Sequence, residues 1–337
     1  VDALLEVSVV GSFSRTGSAI RRRLDAWTAP PAGALAGRTV VLTGPTSGLG
    51  RAMADRLAGL GARLVLLGRD PDRLAAVRDE LAGAYGTAAA EAVVTDMASL
   101  ESVRAAVDTI LEREPRIDVV IDNAGAIFAE RETTDAGLEA TLATMVVGPF
   151  ALVSGLLPRL RTTPGARVIA VTSGGMYAQP LELDDLGWER RSWNGTRAYG
   201  QAKRAQVALI REWARRLPSS EVAFAAMHPG WAATPGLAAA LPGFARLMGP
   251  LLRSADEGID TAVWLAALPA PAVASGRLFL DRRPRPFDRV PWTRVPSAAR
   301  RRLWDTAAQL AGIPDPAPDS GPIGAADPRH LAHGAHR

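Results

Sequence analysis

Tyr199 and Lys203 stand four residues apart in the stretch YGQAK, and Lys203 is the only lysine in the chain. Every other one of the 39 basic residues is arginine, so positive charge alone is supplied elsewhere by guanidinium. On a helix, residues i and i+4 share a face, which puts the ammonium one turn from the phenol. A phenol with an ordinary pKa near ~10 is a weak acid–base group at neutral pH, but an adjacent cation favours the phenolate and lowers that value. A compact ammonium with three donors can serve the phenol and a cofactor ribose together, which a broad planar guanidinium does not reproduce. The chemistry expected is proton exchange with a substrate oxygen. The plain alternative is a pair on a helix surface.

A third group should polarise the substrate oxygen, and it should come from the end of a neighbouring strand, where open α/β sheets place their ligand crevice. The run RVIAVTS ends in Ser173, whose hydroxyl can stabilise developing alkoxide charge. Thr172 is a stand-in, and a turn-capping serine is the alternative. Further upstream, TGPTSGLG (Thr43 to Gly50) follows an apolar run and opens a helical pattern. Gly44 permits a tight turn, Gly48 a close approach to a pyrophosphate and Gly50 close helix packing, with Thr46, Ser47 and Leu49 between them. The expected ligand is a dinucleotide. After the second apolar run the chain reads LLGRDPDR, where Gly68 offers no carboxylate to a ribose and Arg69 supplies a fork suited to a 2′-phosphate. NADP is therefore favoured over NAD. Asp70 keeps NAD open, and Arg69 can also be an ordinary loop arginine.

These groups need a scaffold, and the sequence supplies one. From Gly37 onward, apolar runs at 38–43, 62–68, 91–96, 117–122, 166–173, 222–228 and 276–280 alternate with helical spacing, as where Leu100, Val103, Val107, Ile110 and Leu111 share a stripe. Near-continuous apolar runs are what a parallel sheet covered on both faces requires. The pattern implies an α/β fold: a single Rossmann-type doubly wound parallel sheet with helices on both faces. It occupies 37–285, with substrate loops at 174–197 and 230–255. Tyr177, Trp188 and Trp193 in the first loop, and the alanine-rich apolar run after Gly230 in the second, suit an apolar carbonyl or alcohol.

Two flanks lie outside that alternation. In residues 1–36, Phe13, Gly17, Ile20, Leu24 and Trp27 recur at helical spacing among Arg15, Arg21, Arg22 and Arg23. Such a basic amphipathic helix can dock on the protein itself, on a second subunit as a homo-oligomer, or on an anionic membrane through residues 1–27. Residues 286–312 form a C-terminal extension, and the proline-rich 313–337 should be mobile. Cysteine is absent, which excludes disulfides and thiolate metal sites. Three of four histidines lie in the tail, His330, His333 and His336, leaving His228, so no metal site is expected. A formal charge of +4 over 337 residues gives no concentrated field for nucleic acid. No apolar run reaches the roughly 18–20 residues of a membrane span, and the start lacks a signal peptide's basic region, so the expected location is cytoplasmic, with the peripheral membrane alternative above.

Together these motifs resemble the short-chain dehydrogenase/reductase family, over residues 37 to about 285. The resemblance implies hydride transfer with NAD(P)(H), catalysis by Ser173, Tyr199 and Lys203, and contacts to the cofactor from Tyr199 and Lys203 as well. It further implies Asp96 and Met97 near adenine, Asn123, Ala124 and Gly125 along the cofactor, and Pro229, Gly230 and Thr234 near the nicotinamide. Two departures stand out. Asp122 replaces the first asparagine of Asn-Asn-Ala-Gly, a change expected to be mild, and Met145 replaces the family's fourth catalytic residue, an asparagine. Pro149, four residues on, cannot donate to the Met145 carbonyl and should kink the helix there, freeing that carbonyl for a water relay to Lys203. The replacement also raises a rival reading, a catalytically weak NADP-binding regulatory protein.

Overall fold

The computed structural model describes residues 2–270 and 272–318. Three short helices come first, α1 (Asp2–Val7), α2 (Val9–Phe13) and α3 (Arg15–Leu24). Then β1 (Thr39–Thr43), α4 (Gly48–Gly59), β2 (Arg63–Gly68), α5 (Pro71–Tyr85), β3 (Ala90–Val94), α6 (Leu100–Arg113) and β4 (Val119–Asp122) alternate. A continuous helical stretch follows, made of α7 (Ala140–Leu142), a π turn over Ala143–Val147 and α8 (Gly148–Arg161). It leads to β5 (Arg167–Val171), α9 (Gly195–Arg216), β6 (Ala223–Met227), α10 (Pro235–Ala240), α11 (Pro242–Met248) and α12 (Ala255–Ala267). The chain closes with β7 (Arg277–Leu280), β8 (Arg283–Arg285) and α13 (Ser297–Ala311).

The strands form one sheet in the order β3-β2-β1-β4-β5-β6-β7-β8, with every pairing parallel except β7–β8. All seven apolar runs are strands, as their composition requires. Alternate strand residues face opposite layers: Val41, Val65 and Leu67 join a core with Val107, Val153 and Phe224, whereas Val40, Leu42, Leu64 and Leu66 pack with Met53, Leu57 and Val263. Helices therefore cover both faces, and burial on both sides is why β1 to β7 are mostly apolar, with polar residues largely at their ends. The two halves of the sheet diverge between β1 and β4, which is where a doubly wound sheet opens its crevice.

The front flank docks on the protein itself, the first of the alternatives above, but as more than one helix. The front is three helices: Ser8 caps α2 by accepting from the Gly11 amide at 3.0 Å, and Ser14 separates α2 from α3. Phe13 and Arg21 point inward and are buried, leaving Arg15, Arg22, Arg23 and Leu24 exposed. At the other end α13 belongs to the core, with Trp304 fully buried between Phe150 and Trp213 at centroid distances of 4.9 and 4.5 Å. Residues 313–318, assigned to a mobile tail from composition, are docked. Asp315 accepts from Trp304 Nε1 at 2.9 Å and pairs with Arg216 at 2.8 Å, and Ala317 is buried. The remainder of that tail, with its three histidines, lies outside the described residues.

Strand β8 was not legible either. It is three residues long, reads RPR, and joins β7 through Asp281 and Arg282, both with φ near +55°. Two consecutive left-handed residues make the tight turn that matches strand twist, a conformation that a carboxylate or amide side chain tolerates better than arginine does. Ion pairs hold it: Arg282 forks onto Asp260 at 2.7 Å, and Asp281 accepts from both Arg21 and Arg253 at 2.6 Å.

Among the described residues one helical stretch, Ala140–Arg161, is long and apolar enough to cross a membrane, but most of it is buried in the protein core.

Candidate functional site

The glycine loop lies between β1 and α4, at the carboxyl end of the sheet. A side chain at Gly50 would bring its Cβ to 1.9 Å from the Gly44 carbonyl oxygen, so loop and helix can pack this closely only with glycine there. Asn123 fixes the loop to β4: its side-chain amide donates to the Thr43 and Gly44 carbonyls at 2.9 and 3.2 Å. The Thr43 hydroxyl accepts from the Asn123 and Ala124 amides, both at 2.9 Å. Thr234 lies against Gly48, with its Cβ 3.5 Å from where a Gly48 side chain would start. Thus Gly44, Thr46, Ser47, Gly48, Leu49, Gly50, Asn123, Ala124 and Thr234 gather around one helix N-terminus, as anion binding there requires.

The adenosine end is arranged as follows. Arg69 is exposed just past β2, while Asp70 uses its carboxylate to cap α5, accepting from the Arg73 amide at 3.0 Å. Arg73, which sequence reasoning did not single out, donates to the Thr46 carbonyl at 3.3 Å and so brings a second guanidinium to the loop. Asp96 accepts from the Ala98 amide at 2.9 Å. Met97 is only 5% exposed, its side chain turned into the core, so any contact it makes with adenine would have to come from its main chain.

Ser173, Tyr199 and Lys203 come together. Ser173 follows β5 directly; its hydroxyl is close enough to the Tyr199 phenol to favour the phenolate, and it accepts from the Gly175 amide at 3.2 Å. Asn194 caps α9, whose i, i+4 spacing places the Lys203 ammonium 5.6 Å from the Tyr199 ring centroid. Lys203 is buried and donates to the Val171 carbonyl at 2.9 Å, so β5 holds it, and Thr172 ties the strand end back to the Lys203 carbonyl at 2.9 Å. A side chain at Gly125 would start 3.4 Å from the ammonium and 2.8 Å from the Met145 sulfur. Gly125 itself is exposed, so it marks the point where the crevice reaches the lysine.

The electrostatics differ from the expectation that the lysine lowers the phenol. Burial pushes the Tyr199 pKa up, and the opposing pull comes from the Ser173 hydroxyl. Burial also lowers Lys203 to about 8, partly offset by the nearby Asp122 carboxylate. Asp122, expected to be a mild change, is a fully enclosed acid raised to about 6 by desolvation, against the pull of Lys203 and a 2.7 Å hydrogen bond from Gln206. Replacing an amide by an acid here gives the buried lysine a partner of opposite charge.

Where a kink is expected at Pro149, the helix carries a π turn over Ala143–Val147, in which the Gly148 amide donates to the Ala143 carbonyl. Proline has no amide hydrogen to continue the α ladder at the next position, and π turns arise at such interruptions. Met145 is fully buried within the turn and borders a small cavity with Asp122, Pro149 and Gln206. The Asp122 Oδ1 and Gln206 Oε1 atoms are buried there without partners.

The first substrate loop is more inward than expected. Tyr177 is buried with its hydroxyl on the Pro286 carbonyl at 2.9 Å, and Trp188 is buried against Trp193 and Arg191. Neither overhangs the crevice. Pro229 is buried beside α12, and Gly230 leads into an exposed flap, 231–252, none of whose helices buries a residue. His228 is enclosed, held neutral by burial and the Arg253, Arg289, Arg285 and Arg21 charges.

Comparison with known proteins agrees with this fold. The family model "short chain dehydrogenase" matches residues 38–242. The chain is 38% identical to dehydrogenase/reductase SDR family member 12 of Bos taurus, over 82% of this chain and 86% of that one. It is 40% identical, over 84% and 95%, to a protein of Streptomyces sp. (strain C5) provisionally named daunorubicin C-13 ketoreductase DnrU. Its fold matches the NADP complex of Pseudomonas aeruginosa RhlG with a TM-score of 0.60 and 25% identity, over 74% of this chain and 96% of that one. The glycine loop without room for a side chain, the buried lysine at the crevice and these likenesses together support a nicotinamide cofactor. The chain belongs to the short-chain dehydrogenase/reductase family of oxidoreductases.

Proposed function

We propose that this protein is an NADP-preferring oxidoreductase that interconverts an apolar carbonyl compound and its alcohol, with Tyr199 as the acid–base group. The observation that carries the reading is the convergence of a serine hydroxyl, a phenol and the chain's only ammonium at the end of β5, beside the exposed Gly125. When bound, the nicotinamide supplies or accepts the hydride. The protein's own groups do the rest. With its pKa raised, the phenol is protonated at neutral pH and is ready to donate to a carbonyl oxygen as charge develops there. Ser173 holds the same oxygen and shares the charge. The Lys203 ammonium, seated on the Val171 carbonyl one turn from the phenol, would donate to the cofactor ribose. An exposed flap with alanine, leucine and phenylalanine suits an apolar substrate, as does the ketoreductase name of the Streptomyces relative.

Arg69, exposed at the end of β2, would hold the 2′-phosphate. The Arg69→Ala variant is expected to weaken NADPH by about tenfold and leave NADH almost unchanged, because only the former offers a phosphate to pair. Fluorescence titration of both cofactors measures this, and equal loss for the two would remove the NADP preference.

Asp122 is expected to set the basic limb of the pH profile. Its carboxylate raises Lys203, so in Asp122→Asn desolvation acts unopposed and the lysine loses its proton at a lower pH. Activity that needs the ammonium would then fall at lower pH than in the wild type, read from kcat/KM against pH. An unchanged basic limb would separate Asp122 from the lysine.

A second reading is an NADP-binding regulatory protein with little turnover, favoured by the buried Met145 thioether near Lys203. NADPH oxidation over a panel of apolar ketones and aldehydes discriminates: substrate-dependent oxidation supports the enzyme, and tight binding without it supports the regulator.

A further inference from the structure

We infer that the N-terminal arm positions the substrate flap, with Phe13 acting through Trp231 on how tightly bulky apolar substrates are held. The inference deepens the proposed reading of residues 231–252 as the substrate wall and rests on it. The flap helices bury no side chain, so core packing does not hold them in place. Their roots do. The Arg253 amide donates to the Trp231 carbonyl at 2.7 Å and the Ala233 amide to the Arg253 carbonyl at 2.8 Å, pinning the two ends of the flap together. Both ends then grip the arm: the Trp231 amide and Arg253 Nε each donate to the Phe13 carbonyl at 2.9 Å, and another Arg253 nitrogen donates to the Ser12 carbonyl at 3.0 Å. Gly230 leaves no space between them, since a Cβ there would lie 2.5 Å from Arg253 Nε and 2.6 Å from the Phe13 carbonyl oxygen.

The Phe13 ring continues the connection into the site. It packs edge-on against Trp231 at 5.9 Å and His228 at 4.7 Å, and Trp231 in turn meets Phe244 of α11 at 5.2 Å. On its other side a Gly174 side chain would start 2.6 Å from the ring, so the ring lies directly against the residue after Ser173. One aromatic group from the arm thus spans the distance from the serine end of the site to the flap root. With only 3% of its surface exposed, it is a positioning residue and does not itself touch the substrate.

The test uses the full-length protein with NADPH present. Arg246 is the only basic residue in the flap between Trp231 and Leu252 and is exposed, so trypsin cleavage after it reports flap opening. Phe13→Ala is expected to speed that cleavage by about tenfold, with cleavage elsewhere unchanged. It should also raise KM for 2-decanone about tenfold while NADPH affinity and KM for 2-butanone stay within about twofold. Phe13→Leu, which refills the volume, should restore both within about threefold. Arg253→Lys keeps the charge facing Asp281 but loses the fork onto the arm carbonyls, so it should open the flap even if Phe13→Ala fails to fold. Unchanged cleavage at Arg246 in the folded variants, or equal acceleration at all sites, overturns the inference. If the wild type reduces no ketone, the oxidoreductase reading fails, while the Arg246 cleavage still decides this one.

Discussion

Tyr199→Phe is expected to lower ketone reduction by about 10²–10⁴-fold, the range general acid catalysis contributes, while NADPH binding stays within about twofold. The substitution removes only the hydroxyl. The ring keeps its place on α9 one turn from Lys203, the glycine loop is untouched, and Ser173 retains its bond from the Gly175 amide. What disappears is the proton donor at the position where the carbonyl oxygen becomes an alkoxide. Because burial raises the phenol, the wild-type reaction in the reducing direction should hold its rate across neutral pH and decline only as the base limb is reached. Stopped-flow single turnovers separate the chemical step from cofactor release. A loss of less than about fivefold would mean another group or water donates the proton, outside the range expected for general acid catalysis.

Asp281→Asn is expected to destabilise the protein by about 3–5 kcal/mol, the scale of breaking a buried ion pair from one side. Arg21 and Arg253 are 0% and 1% exposed, and each donates to the Asp281 carboxylate at 2.6 Å. Asparagine suits the left-handed turn at least as well, so the backbone is spared and the charge alone is tested. Arg21 keeps Asp2 and Glu6, but Arg253 keeps only carbonyl partners from the arm. Urea unfolding at neutral pH measures the change. A loss under about 1 kcal/mol would show that the arm carbonyls suffice for the guanidinium.

The two predictions draw on parts of the chain with unequal visibility in the sequence. Strands were readable because burial on both faces forces runs such as VVLT and VVID, and the lysine stood out because arginine fills every other basic position. The interruption of the helix near Pro149 was readable because proline lacks a donor wherever it sits. The Arg21–Asp281–Arg253 cluster was hidden: an arginine triplet reads as a solvated face, and nothing local says that Arg21 turns inward to meet Asp281, 260 residues away. Phe13 showed helical spacing, but its partners His228 and Trp231 are distant in sequence. The role of Asp122 was underestimated for the same reason, since its significance comes from Lys203 and Gln206 on a helix some 80 residues on. Local pattern identifies elements and motifs; charge partners brought together by topology need the structure.

The account stands most directly on hydride transfer paired with a proton from Tyr199. It is tested by reducing 2-decanone with each epimer of deuterated NADPH and analysing the alcohol by mass spectrometry. The account predicts deuterium at the carbinol carbon from one epimer, in wild type but not at a comparable rate in Tyr199→Phe. Alcohol without deuterium from either epimer, or no alcohol from any apolar ketone although NADPH is bound, would contradict it.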